Sequence, residues 1–109
     1  MLANLLGSVN KERVLVYLAA RARGYARQIA RFFEAPVYPV QNALDKLEAA
    51  GVLVSRNVGR TREYEFNPRY PARRELARLL DRALALYPPA TRDRLLLVRS
   101  RPRRKGKPL

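Results

Sequence analysis

The chain has 109 residues, 48% of them hydrophobic and 29% charged, a balance that suits one folded domain rather than a disordered chain. Its 23 Lys and Arg against 9 Asp and Glu leave a net charge of +14, which points to a polyanionic partner, nucleic acid first and an anionic membrane surface second. With no Cys and no His, disulfides, thiol nucleophiles, the usual zinc and copper ligands and the commonest general base are all missing, so hydrolysis and soft-metal sensing are disfavoured and no cofactor is expected.

Residues 1–6 are uncharged and apolar and lack the basic start of a signal peptide. No apolar run is long enough to span a bilayer, so a cytoplasmic location without membrane association is the expectation. Leu2, Leu5 and Leu6 suit a short helical turn packed on the domain or on a second subunit. Gly7 and Ser8 break it, and Ser8 or Asn10 is placed to cap a helix predicted over 11–23, where Val14, Leu15, Tyr17, Leu18 and Ala22 recur at three and four residues. Gly24 is expected to end that helix. A second is predicted over 25–34, with Ile29, Ala30 and Phe33 on one side and Arg23, Arg27 and Arg31, four apart, on the other. That basic row faces either phosphates or solvent.

A tight turn through Ala35 and Pro36 leads to the helix predicted over 37–50. Val40, Ala43, Leu44, Leu47 and Ala50 form its buried face, and Tyr38, Gln41, Asn42, Asp45 and Lys46 its polar one. Pro36 and Pro39 are tolerated because first-turn amides have no partner inside a helix, and Gly51 supplies the stop. The period then changes to that of a strand. Residues 52–56 are β-rich, 57–62 supply turn residues, and Glu63-Tyr64-Glu65-Phe66 alternates, so a hairpin is predicted with Tyr64 and Phe66 in the core and Arg60 and Arg62 at or beside its tip.

After a Pro-punctuated link a long helix over 72–87 carries Leu76, Leu79, Leu80, Ala83, Leu84 and Tyr87, more apolar surface than a small domain is expected to cover. These residues are therefore expected to meet a second copy of the chain. Pro88-Pro89 stops that helix, and Thr91 is expected to cap a short last one through Val98. The rest, with Arg99, Arg101, Arg103, Arg104, Lys105 and Lys107, has no apolar pattern and is expected to be disordered alone, raising affinity for any DNA rather than choosing a site. One domain over 1–87 and an appendage over 88–109 follow.

Helix, helix, tight turn, helix, hairpin, C-terminal helix is the order of a winged helix-turn-helix, mainly α with a small β-hairpin (α+β) and an added C-terminal helix. The phrases Leu6-Gly7-Ser8, Gly24-Tyr25-Ala26-Arg27-Gln28-Ile29-Ala30, the run from Val40 to Leu53, and Gly59-Arg60-Thr61-Arg62-Glu63-Tyr64 together resemble the bacterial and archaeal ArsR/MarR-type transcriptional regulators. The resemblance implies sequence-specific binding to double-stranded DNA as a homodimer on an inverted repeat. The helix over 37–50 would lie in the major groove and the wing over 56–63 on the backbone or minor groove. Carried over, the reading positions are Val37, Tyr38, Gln41, Asn42 and Lys46 and the wing positions Arg56, Arg60 and Arg62. Pro36 stands where relatives commonly place a capping Ser or Thr, and the Cys and His clusters of metal-sensing members are missing. An effector ligand is not indicated either way.

From the residues themselves, Gln41 or Asn42 suits a bidentate pair with an adenine edge and Tyr38 a phosphate or thymine methyl, whereas Asp45 is repelled by phosphates unless it reads cytosine or holds a neighbouring Arg or Lys. The wing arginines neutralise phosphates. The competing expectation is a winged-helix protein-interaction or antitoxin-type module whose basic tail binds RNA or DNA non-specifically. An enzyme is disfavoured, since Glu34, Asp45, Glu48, Glu63 and Glu65 fall on separate elements and assemble no acid-base pair.

Overall fold

The fold is organised around α2 (Val9–Arg21), in which five consecutive side chains from Val14 to Leu18 are at most 1% exposed. A helix apolar on every side has to be surrounded. In this computed structural model, which describes residues 1–97, it is enclosed by α1 (Ala3–Leu6), α3 (Ala26–Phe32), α4 (Val37–Ala49), the hairpin β1 (Leu53–Val58) and β2 (Thr61–Phe66), α5 (Arg73–Ala85) and α6 (Pro89–Leu97). The predicted basic tail and Val98 lie outside the described residues.

The Ser8 hydroxyl accepts the Asn10 and Lys11 amides at 3.1 and 3.2 Å, so the expected cap is present and α2 begins at Val9, two residues ahead of the predicted start. Its end also comes early. Ala22, with φ +74°, turns the chain, and Gly24 does different work from the helix stop expected of it. The Gly24 amide and carbonyl pair with Tyr64 at 3.1 and 2.8 Å, and a Cβ there would sit 2.9 Å from the Tyr17 ring. Glycine is needed for that close approach.

The helix-turn-helix is α3, a turn over 33–36 that includes Glu34 at φ +54°, and α4. Gly51, at φ +82°, ends α4 as expected. The hairpin is longer than predicted, with its turn reduced to Gly59 and Arg60. Gly59 has φ +62°, which fits a two-residue hairpin turn whose first position is left-handed. Tyr64 is 1% exposed and Phe66 packs against the core, as their alternation requires.

Two expectations about the C-terminal third need correction. Leu80 and Ala83, expected to face a second subunit, are wholly buried inside this chain, and Leu76, Leu79, Leu84 and Tyr87 are half-buried against the same core, because α5 lays its apolar stripe on α2. The segment after 87, expected to stand apart, belongs to that core as far as α6: Leu95 is 0% exposed, and Arg21 donates to the Leu95 and Arg94 carbonyls at 3.0 and 3.2 Å. Pro89, not Thr91, opens α6, as proline's fixed φ and missing N–H suit a first helical position.

One charge is buried with its partners. Glu12 accepts the Leu2 amide at 2.6 Å, the Tyr87 hydroxyl at 2.9 Å and the N-terminal amine at 3.3 Å, tying the start of the chain to α2 and the end of α5. Burial alone would raise its carboxyl pKa, but the bonds from Tyr87 and Leu2 outweigh burial and hold it below the usual carboxylate value. A depressed folded-state pKa contributes stability that is full above the unfolded value, about 4.3, and is lost as pH falls through the folded one. Glu12→Gln is expected to cost about 1.5–3 kcal/mol at neutral pH. Its thermal midpoint should then fall less steeply than the wild type's on acidification, and equal slopes would show that Glu12 contributes nothing to acid sensitivity.

Candidate nucleic-acid interface

The buried face of α4 consists of Val40, Ala43, Leu44 and Leu47, each no more than 6% exposed. That burial turns Val37, Tyr38, Asn42, Asp45 and Lys46 to the surface, with Tyr38 79% exposed. Gln41 lies between the two faces. Asp45 and Lys46 leave this surface nearly neutral, so positive charge at the site has to come from neighbouring elements.

Neighbouring elements supply it at one cleft of about 410 Å³, lined by Tyr25 and Arg27 at the start of α3, Val37 and Gln41 of α4, and Arg60 and Arg62 of the wing. Residues from three elements separated in sequence therefore converge beside α4. Arg56 does not join them. Paired residues of the hairpin share a face, and the register pairs Asn57 with Arg62 and Ser55 with Tyr64 on the face toward α4, but Arg56 with Glu63 on the other. Arg56 accordingly lies 3.7 Å from Glu63, while Arg62 donates to the Asn57 side chain at 3.0 Å.

Gln41 is held from below. Its Nε2 donates to Asp45 Oδ1 at 2.9 Å and to Tyr64 Oη at 3.0 Å, and the Tyr64 hydroxyl donates to the same Asp45 oxygen at 3.3 Å. Burial raises the Tyr64 phenol pKa, the bond from Gln41 lowers it, and the Asp45 charge raises it again. The net upward shift keeps the hydroxyl protonated at neutral pH. Sequence reading missed Tyr64 as a site residue and found no neighbour for Asp45. The i, i+4 spacing of Gln41 and Asp45 was the available signal for their bond; nothing local indicated Tyr64.

Other cations serve the fold. Arg21 lies 4.9 Å over Tyr17 and 5.2 Å over Phe32, and Arg94 lies 4.6 Å over Phe32, which pins α6 to α2 and α3. Among the described residues no group of three or more His, Cys, Asp or Glu is placed to hold a metal ion, and no helix is long and apolar enough to cross a membrane.

The order of elements, the helix-turn-helix and the wing define a winged helix-turn-helix domain. No protein-family model matches the chain, and no curated protein sequence matches it. Solved structures do. A doubly substituted ZitR from Lactococcus lactis, in its apo form, superposes with a TM-score of 0.54 at 18% identity over 71% of this chain. A MarR-family transcriptional regulator from Silicibacter pomeroyi superposes with a TM-score of 0.59 at 23% identity over 89% of this chain and 71% of its own. The match spans 61% of the length of ZitR. At these identities the shared property is the winged helix-turn-helix fold.

Proposed function

We propose that this protein is a sequence-specific double-stranded DNA-binding transcriptional regulator that places α4 in the major groove and the wing on the flanking backbone or minor groove. The observation that carries this is the convergence of Arg27, Arg60 and Arg62 on the cleft beside Gln41. A nearly neutral helix face flanked by cations suits a division of labour in which α4 meets base edges and the flanks meet phosphates. Val37, Tyr38, Asn42, Asp45 and Lys46 are the other α4 side chains exposed enough to reach DNA. The MarR-family label of one structural neighbour supports the same reading. A protein-interaction module would not need three arginines gathered from α3 and the wing at the edge of α4.

A homodimer on an inverted repeat belongs to this proposal, with half-sites roughly 34 Å apart. Since Leu80 and Ala83 are buried within the chain, the surface for a second copy shifts to the apolar side chains that remain exposed at the joined ends of α1, α2 and α5. These are Leu5 at 71%, Val9 at 53% and Leu86 at 58%. The Tyr87–Glu12 bond brings those ends together.

The test is selection from a randomised duplex pool at two salt concentrations, followed by sequencing. Recovery of an inverted repeat at the higher salt is the expected result. Retention without sequence enrichment, lost as salt rises, would mean that charge alone holds the DNA and would remove the regulator reading.

A further inference from the structure

We propose that Tyr64 is a positioning residue that sets which base Gln41 reads, making the middle of α4 an acceptor-only edge that selects cytosine. This rests on the duplex-DNA reading of α4. A glutamine amide has two N–H donors and one carbonyl acceptor. Asp45 Oδ1 can only accept, so the Gln41 atom 2.9 Å from it has to be the nitrogen, because the reversed amide would press two acceptors together. The second N–H goes to Tyr64 Oη at 3.0 Å, and the Tyr64 proton goes to Asp45 at 3.3 Å. Both donors of Gln41 are thus used inside the protein. What remains for an incoming base is Gln41 Oε1 and the second oxygen of Asp45.

Tyr64 cannot readily swing away to release the amide. It is 1% exposed, its backbone carbonyl and amide both pair with Gly24 at 3.1 and 2.8 Å, and it stands opposite Ser55 in the hairpin. In the major groove guanine shows two acceptors and thymine one, so both are repelled by an acceptor-only edge. Adenine offers an N–H but sets its N7 acceptor beside it, and bidentate pairing would need a free N–H that Gln41 lacks. Cytosine presents a donor with no adjacent acceptor. The charge of Asp45 is tolerable near DNA because Arg27, Arg60 and Arg62 line the cleft that Gln41 faces. The same network revises the expectation that Gln41 pairs with adenine.

The experiment is selection from randomised duplexes with the full chain as wild type, Gln41→Ala and Tyr64→Phe. The position read by Gln41 is the one that Gln41→Ala relaxes. There the wild type is expected to favour cytosine over adenine about tenfold. Tyr64→Phe keeps the buried ring but frees one N–H, so adenine should rise to equal or exceed cytosine while other positions are unchanged. A merely structural role would weaken all sites alike and would not move one base preference. Should Tyr64→Phe fail to fold, Asp45→Asn on the exposed face carries the test, because it replaces the outward acceptor by a donor and should also erode the cytosine preference. An enriched site whose preference at that position is the same in wild type and variant, or whose wild-type base is not cytosine, overturns the proposal and leaves the DNA reading standing. No enriched site with wild type overturns both.

Discussion

Leu80→Arg is expected to leave no cooperatively folded protein at room temperature. The leucine is wholly buried where α5 rests on α2. Removing its buried surface costs roughly 1.5–3 kcal/mol. The guanidinium adds an unpaired charge inside the core, a penalty of several kcal/mol more. Against a stability of about 5–15 kcal/mol for a domain of this size, the sum removes most or all of it. On the sequence alone the same substitution would be expected to give folded monomers, since Leu80 lies in a stripe that looks surplus to the domain. Circular dichroism with light scattering separates the two, and a folded monomer would refute the packing described here. Leu86→Arg, at an exposed position, should keep the fold and halve the mass if the proposed dimer forms.

The second large effect concerns binding. Replacing Arg27, Arg60 and Arg62 together by Ala is expected to lower affinity for duplex DNA roughly 100-fold near physiological salt. It should also reduce the slope of log affinity against log salt by about 2.7, at about 0.9 per phosphate contact. The base preferences of what still binds should survive, because phosphate contacts carry little sequence information. Arg56→Ala is the informative partner. It removes one charge from the same hairpin, as Arg62→Ala does, but on the face turned from α4 and beside Glu63, so it should change affinity little. Fluorescence anisotropy across a salt series measures both, and an Arg56→Ala loss as large as that of Arg62→Ala would mean that the opposite hairpin face meets the DNA.

The two predictions differ in how far they could be foreseen. The cation excess, the choice of α4 as the central helix and the arginines near the wing tip are visible in the chain because each rests on composition or on a period of two or 3.6 residues. That Arg60 and Arg62 gather with Arg27 beside Gln41 while Arg56 does not depends on hairpin register. A one-residue slip would exchange the two faces, and the turn residues in the sequence allowed more than one register. The hairpin closing through Gly59 and Arg60 alone settled it.

What the sequence by itself determined is the set of elements and their inward faces: α4 with its stop at Gly51, the alternation that buries Tyr64, the Ser8 cap, and a surface charge that favours a polyanion. These depend on neighbours a few residues apart, so local spacing is enough to specify them. Only the tertiary structure decided what lies against what. It turned the apolar stripe of α5 inward instead of toward a second copy, packed α6 into the core through Leu95, gave Gly24 to a close approach with Tyr17, and brought the Tyr64 hydroxyl to Gln41, 23 residues away in the chain. Such contacts come from the packing of whole elements around α2, and a periodicity shows which face of a helix is buried without showing what buries it.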